Sequence, residues 1–167
     1  MSTRPAGTVR AVCLGSGGIP KHPVDEAECT ELGLVGDGHR YKLHGGANRA
    51  VCLFSTEDYA ALQRDGVRAE APGSYGENLL IEGLDFAQLR PEDRLAVGTE
   101  VLLQIHDVRE PCKTLRPLDA RFPDLMLGRS GFVCRVLRAG RLTAGQQRAI
   151  EELGSKYVVP FQSNVID

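Results

Sequence analysis

Apolar residues in this chain come in short runs separated by glycines and polar turns, a pattern that predicts strands more often than helices. Residues 8–14, 50–54, 79–82 and 131–139 each read as a strand. Residues 94–97 and 100–108 read as a hairpin turning at Gly98-Thr99. The clearest helix starts after Ser55, where Ser55 and Asp58 have the spacing of a capping box. Tyr59 and Leu62 share one face of that helix, and Gly66 stops it. Gly140-Arg141 reads as a turn, and residues 146–153 as a short helix. Strands outnumber helices without alternating with them. The expectation is therefore a mainly β fold, a barrel with short helical insertions, in preference to a doubly wound sheet.

Composition narrows the classes. The length of 167 residues suits one domain, and a 42% apolar share can fill a core. The net charge of -2 provides no general field for nucleic acid, so an acidic ligand needs a local site. No apolar run approaches a membrane span. Residues 1–7 lack the apolar centre of a signal peptide, which makes the cytoplasm the expected location. The five cysteines are odd in number and show no C-x-x-C spacing, which argues against a disulfide framework or a zinc knuckle. Cys13, Cys52 and Cys134 lie in apolar runs and read as small core residues. Cys29 sits among acidic neighbours that would raise its pKa.

Three segments carry unusual chemistry. Gly36-Asp37-Gly38-His39 and His44-Gly45-Gly46-Ala47-Asn48-Arg49 crowd histidines, glycines and an arginine before a strand. Such glycines allow close backbone approach, and Arg49 suits a phosphate or carboxylate. The same residues also fit a polar turn, and the spacing of His39 and His44 matches no common metal pattern. Gly73 to Leu79 combines turn glycines with Glu77 and Asn78; Asn78 can clamp a loop or read the edge of a heterocycle. In Arg109-Glu110-Pro111-Cys112-Lys113, a strand ends and a cysteine follows a proline between two cations. Nearby cations favour thiolate, the form that attacks or binds metal. The 15–21 loop lacks Walker spacing but can offer backbone N–H groups to an anion.

Taken in order, these segments resemble the MOSC family, named for the C-terminal part of molybdenum cofactor sulfurase. The likeness runs from about Val9 to Gly145. It rests on Ile19-Pro20-Lys21, Gly33-Leu34-Val35-Gly36-Asp37, His44-Gly45-Gly46 with Arg49-Ala50-Val51, Gly73 with Gly76-Glu77-Asn78-Leu79, Val97-Gly98, Arg109 with Pro111-Cys112, and Gly128-Arg129 with Gly131. The resemblance implies a single small bacterial-type MOSC domain over 1–167, with its core at about 9–145 and a tail over 146–167. It implies a closed β-barrel like the one inserted in pyruvate kinase. It further implies a molybdopterin-type molybdenum cofactor, with Cys112 as metal ligand and catalytic residue. Lys21, His44, Gly45, Gly46, Arg49, Glu77, Asn78 and Arg109 would hold that cofactor.

The activity implied is an oxidoreductase that reduces N-hydroxylated or related small molecules. No flavin or iron–sulfur pattern is visible, so electrons would come from a separate reductase. A second possibility is a sulfur carrier with a persulfide on Cys112, loaded by a separate cysteine desulfurase. A third is a small-ligand binding barrel without chemistry. No nucleic-acid or membrane partner is expected.

Overall fold

The computed structural model describes residues 5–38, 46–143 and 149–153. Its strands are β1 (Pro5–Leu14), β2 (His22–Val24), β3 (Glu26–Thr30), β4 (Gly33–Leu34), β5 (Val51–Ser55), β6 (Leu79–Glu82), β7 (Arg94–Val97), β8 (Val101–Val108), β9 (Phe132–Arg138), β10 (Gly140–Thr143) and β11 (Ala149–Leu153). One helix, α1 (Thr56–Arg64), and a few 3₁₀ turns complete the described elements. The protein is mainly β. An eight-stranded sheet in the order β11-β7-β8-β9-β5-β6-β1-β2 curls as a half-barrel, and β11 also pairs with β1. The strands β10-β3-β4 form a second, small sheet whose Ala27, Cys29, Leu34 and Leu142 pack into the same core. No described helix is long and apolar enough to cross a membrane.

Strand alternation produces two cores. Val51 and Leu53 of β5, Leu79 and Ile81 of β6, and Leu103 and Ile105 of β8 all point into the curl. Their neighbours on the other face, Phe54 and Leu80 among them, meet a second cluster holding Tyr59, Leu62, Tyr75, Phe122 and Met126. Each large apolar side chain buried this way contributes about 1.5–3 kcal/mol. α1 covers this outer face because its cap and stripe agree: the Asp58 N–H donates to Ser55 Oγ at 3.0 Å, and Tyr59 and Leu62 are buried. Gly131 lets β9 approach β5, since a Cβ there would stand 2.0 Å from the Leu53 carbonyl oxygen at a φ of 83°.

Two expectations need correction. Residues 149–153 form a strand, not a helix, while 146–148 lie outside the described residues. The local composition favours helix, but pairing with both β7 and β1 prevails. Gly140-Arg141 opens β10 instead of forming a turn, because residues 140–143 pair with β3.

Candidate functional site

The cavity that gathers the chemistry has a volume of about 290 Å³ and opens on the outer face of the sheet, beside the second core. Lys21, Arg49, Asn78, Arg109 and Cys112 all line it, together with Cys52, Glu110 and Thr114. A roomier depression of about 510 Å³ runs from the start of α1 to residues 128–132, but it holds no cysteine. Among the described residues, no group of three or more His, Cys, Asp or Glu is placed to hold a metal.

Arg109 continues from β8 and is fixed at both ends. Its backbone N–H donates to the Gly131 carbonyl at 2.9 Å, and its own carbonyl accepts from the Ser130 hydroxyl. Its Nη2 donates to the Tyr75 carbonyl at 2.5 Å. Its Nη1 is buried without a partner among the described residues, although Arg109 is only 8% exposed. A buried donor left unpaired costs about 1–3 kcal/mol, so this one is poised for an acceptor. Arg49 ends the 3₁₀ turn Ala47–Arg49, and its Nε is likewise buried without a described partner. Two arginines therefore line one cavity, each with a buried donor that has no described partner.

Cys112 leads into the 3₁₀ turn Lys113–Leu115, which the fully buried Leu115 anchors in the second core. The thiol is half-buried, with Sγ 2.7 Å from Thr114 Oγ1. Lys21 is 6% exposed, and its ammonium donates to both Asp37 oxygens at 2.6 and 2.7 Å. Asn78 is a clamp: its Oδ1 accepts from the Cys52 N–H at 3.0 Å, and its Nδ2 donates to the Cys13 carbonyl at 3.2 Å and to Asp37 Oδ2 at 2.9 Å.

Glu77 does not line the cavity. Its carboxylate is fully buried and accepts from the Tyr59 hydroxyl at 2.6 Å and from the N–H groups of Gly73 at 2.9 Å and Tyr75 at 3.2 Å. It shapes the turn that presents Gly76 and Asn78 to the cavity. Gly46 begins the turn before Arg49 but is not in the cavity wall, and His39, His44 and Gly45 lie outside the described residues. Two participants escaped sequence reasoning. Asp37 was visible only as part of a motif. Cys52, expected in the core, is half-buried and faces the cavity, because Val51 and Leu53 take the core side of β5.

The other thiols are held protonated. Burial pushes Cys13 and Cys29 up to about 12, with Glu77 adding to the effect at Cys13 and Glu28 at Cys29. Burial also raises Cys52, opposed by Arg109, and raises Cys134 strongly. A thiol that ionises at about 9 when unfolded and about 12 when folded stabilises the native state fully below about pH 9. That stability is lost as pH rises toward about 12, because the unfolded chain releases the proton first. The thermal midpoint is thus expected to fall above about pH 9, and less steeply in Cys29→Ala. Identical slopes for the two proteins in a pH series would show that Cys29 contributes nothing to this effect.

Fold and cavity together define a curled β-sheet protein whose cavity is lined by two half-buried thiols, Cys52 and Cys112, and two arginines. The MOSC domain family matches residues 40–148, more than half of the sequence, and the chain belongs to that family. It is 36% identical to protein YiiM of Escherichia coli (strain K12) over 136 residues, which cover 75% of this chain and 60% of YiiM. It is 30% identical to a protein of Gibberella moniliformis named "Reductase" over 139 residues, 74% of this chain. That stretch is 23% of the fungal protein, so the likeness concerns one part of it. The crystal structure of Escherichia coli YiiM matches with a TM-score of 0.69 at 26% identity, covering 97% of this chain and 75% of that one.

Proposed function

We propose that this protein binds a molybdopterin-type molybdenum cofactor and is the oxidoreductase component that reduces N-hydroxylated or related small molecules in the cytoplasm. The observation that carries this reading is the meeting of a half-buried thiol, Cys112, with two arginines, Arg49 and Arg109, in the lining of one cavity. The residues fit the group. A soft thiolate suits molybdenum, and two guanidinium groups suit a phosphate on the pterin. When bound, the cofactor supplies a centre that exchanges electrons and takes an oxygen atom. Net reduction of a hydroxylamine consumes two electrons and two protons and yields an amine and water. A separate reductase would supply the electrons.

The protein's own residues have simpler tasks. Cys112 holds the metal end of the cofactor, on a turn fixed by Leu115. Arg109 and Arg49 bind the anionic end, and the burial of Arg109 strengthens its contact. Asn78 keeps β1 and β5 together beneath the cavity. The sheet is read as a closed barrel because β11 pairs with β7 on one flank and β1 on the other.

The test is metal analysis of protein from a host that makes the cofactor. Molybdenum near one equivalent, with turnover of an N-hydroxy substrate when a reductase is added, is the expected result. Stoichiometric zinc in its place would overturn it. Cyanide-labile sulfur on Cys112 without molybdenum would favour the persulfide carrier.

A further inference from the structure

Cys52 stands in an apolar run, yet neither hydrophobic core contains it. Its neighbours Val51 and Leu53 point into the curl, so strand alternation turns the Cys52 thiol to the outer face. There it lines the cavity together with Val133 and Asn78. The strand register explains that company, since Val133 of β9 is the pairing partner of Cys52. Asn78, just before β6, holds the Cys52 backbone twice. Its N–H donates to the Cys52 carbonyl at 2.9 Å, and its Oδ1 accepts from the Cys52 N–H at 3.0 Å. The backbone under this thiol therefore has little room to move.

The charges of the cavity gather on the same residue. Burial raises the Cys52 pKa, and the cation that most opposes this is Arg109, followed by Lys21 and Arg49, with Glu77 acting against them. Of these three cations, Cys13 responds to Lys21 alone, and Cys29 and Cys134 respond to none. Arg109 is only 8% exposed, and its Nη1 has no described partner. A thiol raised by burial stays protonated at neutral pH, so it offers an anion a weak S–H donor and no opposing charge.

We propose that Cys52 is the specificity-determining residue at the anionic end of this cavity: its small, uncharged thiol is the floor on which a phosphate-sized oxyanion held by Arg49 and Arg109 rests. Cys112 then serves the other end. This rests on the anion-binding part of the proposed function and is independent of the metal. A larger side chain at position 52 takes the anion's place, because the Asn78 clamp and the pairing with β9 leave the backbone no retreat.

The experiment is thiol footprinting of the wild-type protein with iodoacetamide, a small neutral reagent, read by mass spectrometry. Inorganic phosphate is compared with chloride at equal ionic strength. Phosphate at about ten times its calorimetric Kd fills about nine sites in ten, so a thiol beneath it should label about fivefold to tenfold more slowly. Cys52 is expected to show that slowing, and Cys112 less than about twofold. Equal slowing of both thiols, as a ligand that only closes the mouth would give, overturns the proposal. So does slowing of Cys112 alone, or of neither, while calorimetry shows phosphate bound. A Cys52 that labels no faster than Cys134 overturns it too, since its thiol would then be closed off from the cavity. Two variants test size directly. Cys52→Leu is expected to weaken phosphate binding at least about tenfold, and Cys52→Ala about twofold to threefold. A merely structural Cys52 would lower the thermal midpoint in both without this order of affinities, so similar losses in the two, or none in Cys52→Leu, overturn the proposal. If Cys52→Leu fails to fold, the footprint of the wild type decides alone. Wild-type protein that binds no phosphate removes the anion site and this assignment together. Phosphate bound without protection of Cys52 removes this assignment alone, and failure to load molybdenum belongs to the proposed activity alone.

Discussion

Cys112→Ser is expected to abolish molybdenum retention and any N-hydroxy reduction while leaving the fold intact. Serine has nearly the same volume, and its hydroxyl can still meet Thr114 Oγ1, now 2.7 Å from the sulfur. The residue is half-buried on a turn held by Leu115, not in the sheet, so the stability change should stay within about 0.5–1 kcal/mol. What disappears is a soft, ionisable ligand, replaced by a hard alcohol. The comparison must be selective, because the chain has five cysteines. Cys13, Cys29 and Cys134 are buried with raised pKa values and should resist alkylation. Cys13→Ser and Cys134→Ser should cost stability yet leave the remaining folded protein able to bind the metal. Cys52 is the informative intermediate: it faces the cavity, but burial raises its pKa. Iodoacetamide labelling followed by mass spectrometry should rank Cys112 first, Cys52 second and the rest far behind. If Cys112 labels no faster than Cys13, and its serine variant keeps molybdenum, the assignment of the site is wrong.

Much of this arrangement is legible from local pattern. The short apolar runs of β1, β5, β8 and β9, the glycine turn between β7 and β8, and the Ser55 cap with its Tyr59/Leu62 stripe are short-range signals, and the structure follows them. Illegible features depend on partners distant in the chain. β3 is a strand because β10 lies beside it, where Arg141 reaches Glu26 at 2.7 Å across 115 positions. β11 has the composition of a helix and becomes a strand only because two strands flank it. The same limit applies to the site. Polar flanks marked Cys112, and an apolar run hid Cys52, although both reach the cavity. Strand alternation could have placed Cys52 opposite Val51 and Leu53, but nothing local says that the opposite face opens to a cavity. Lys21 and Asp37 each carried a motif, while their pairing needed the fold.

Glu77→Ala is expected to produce the largest loss of stability among substitutions of cavity-associated polar residues. Its carboxylate is fully buried and accepts from the Tyr59 hydroxyl and from the Gly73 and Tyr75 N–H groups. Alanine leaves the Gly73 and Tyr75 N–H groups without that acceptor in a dry turn, at about 1–3 kcal/mol each before relaxation, while the Tyr59 hydroxyl keeps the Ala71 carbonyl at 3.2 Å. The turn cannot relax far. A Cβ at Gly73 would stand 2.2 Å from the Lys21 carbonyl oxygen, so the chains already touch there. Tyr75, directly above, packs on Tyr59 at a ring separation of 4.7 Å. A net loss of about 3–5 kcal/mol follows, or roughly 6–20 °C in thermal midpoint for a chain of this size. Glu77→Gln should lose less, because the amide oxygen can still accept from Gly73, although its NH₂ then faces a donor. Glu82→Ala is the control: its pair with Arg10, at 3.3 Å, is exposed and worth about 0–1 kcal/mol. Phosphate affinity should fall along with stability in Glu77→Ala, since Tyr75 of the same turn supplies the carbonyl that holds Arg109. The two roles open to Glu77 thus separate cleanly. As the brace of the turn, it lowers the midpoint and weakens the cavity together. If the midpoint stays within about 2 °C while phosphate or metal binding collapses, Glu77 acts as a ligand, as its motif first suggested, and its carboxylate must turn toward the cavity to do so.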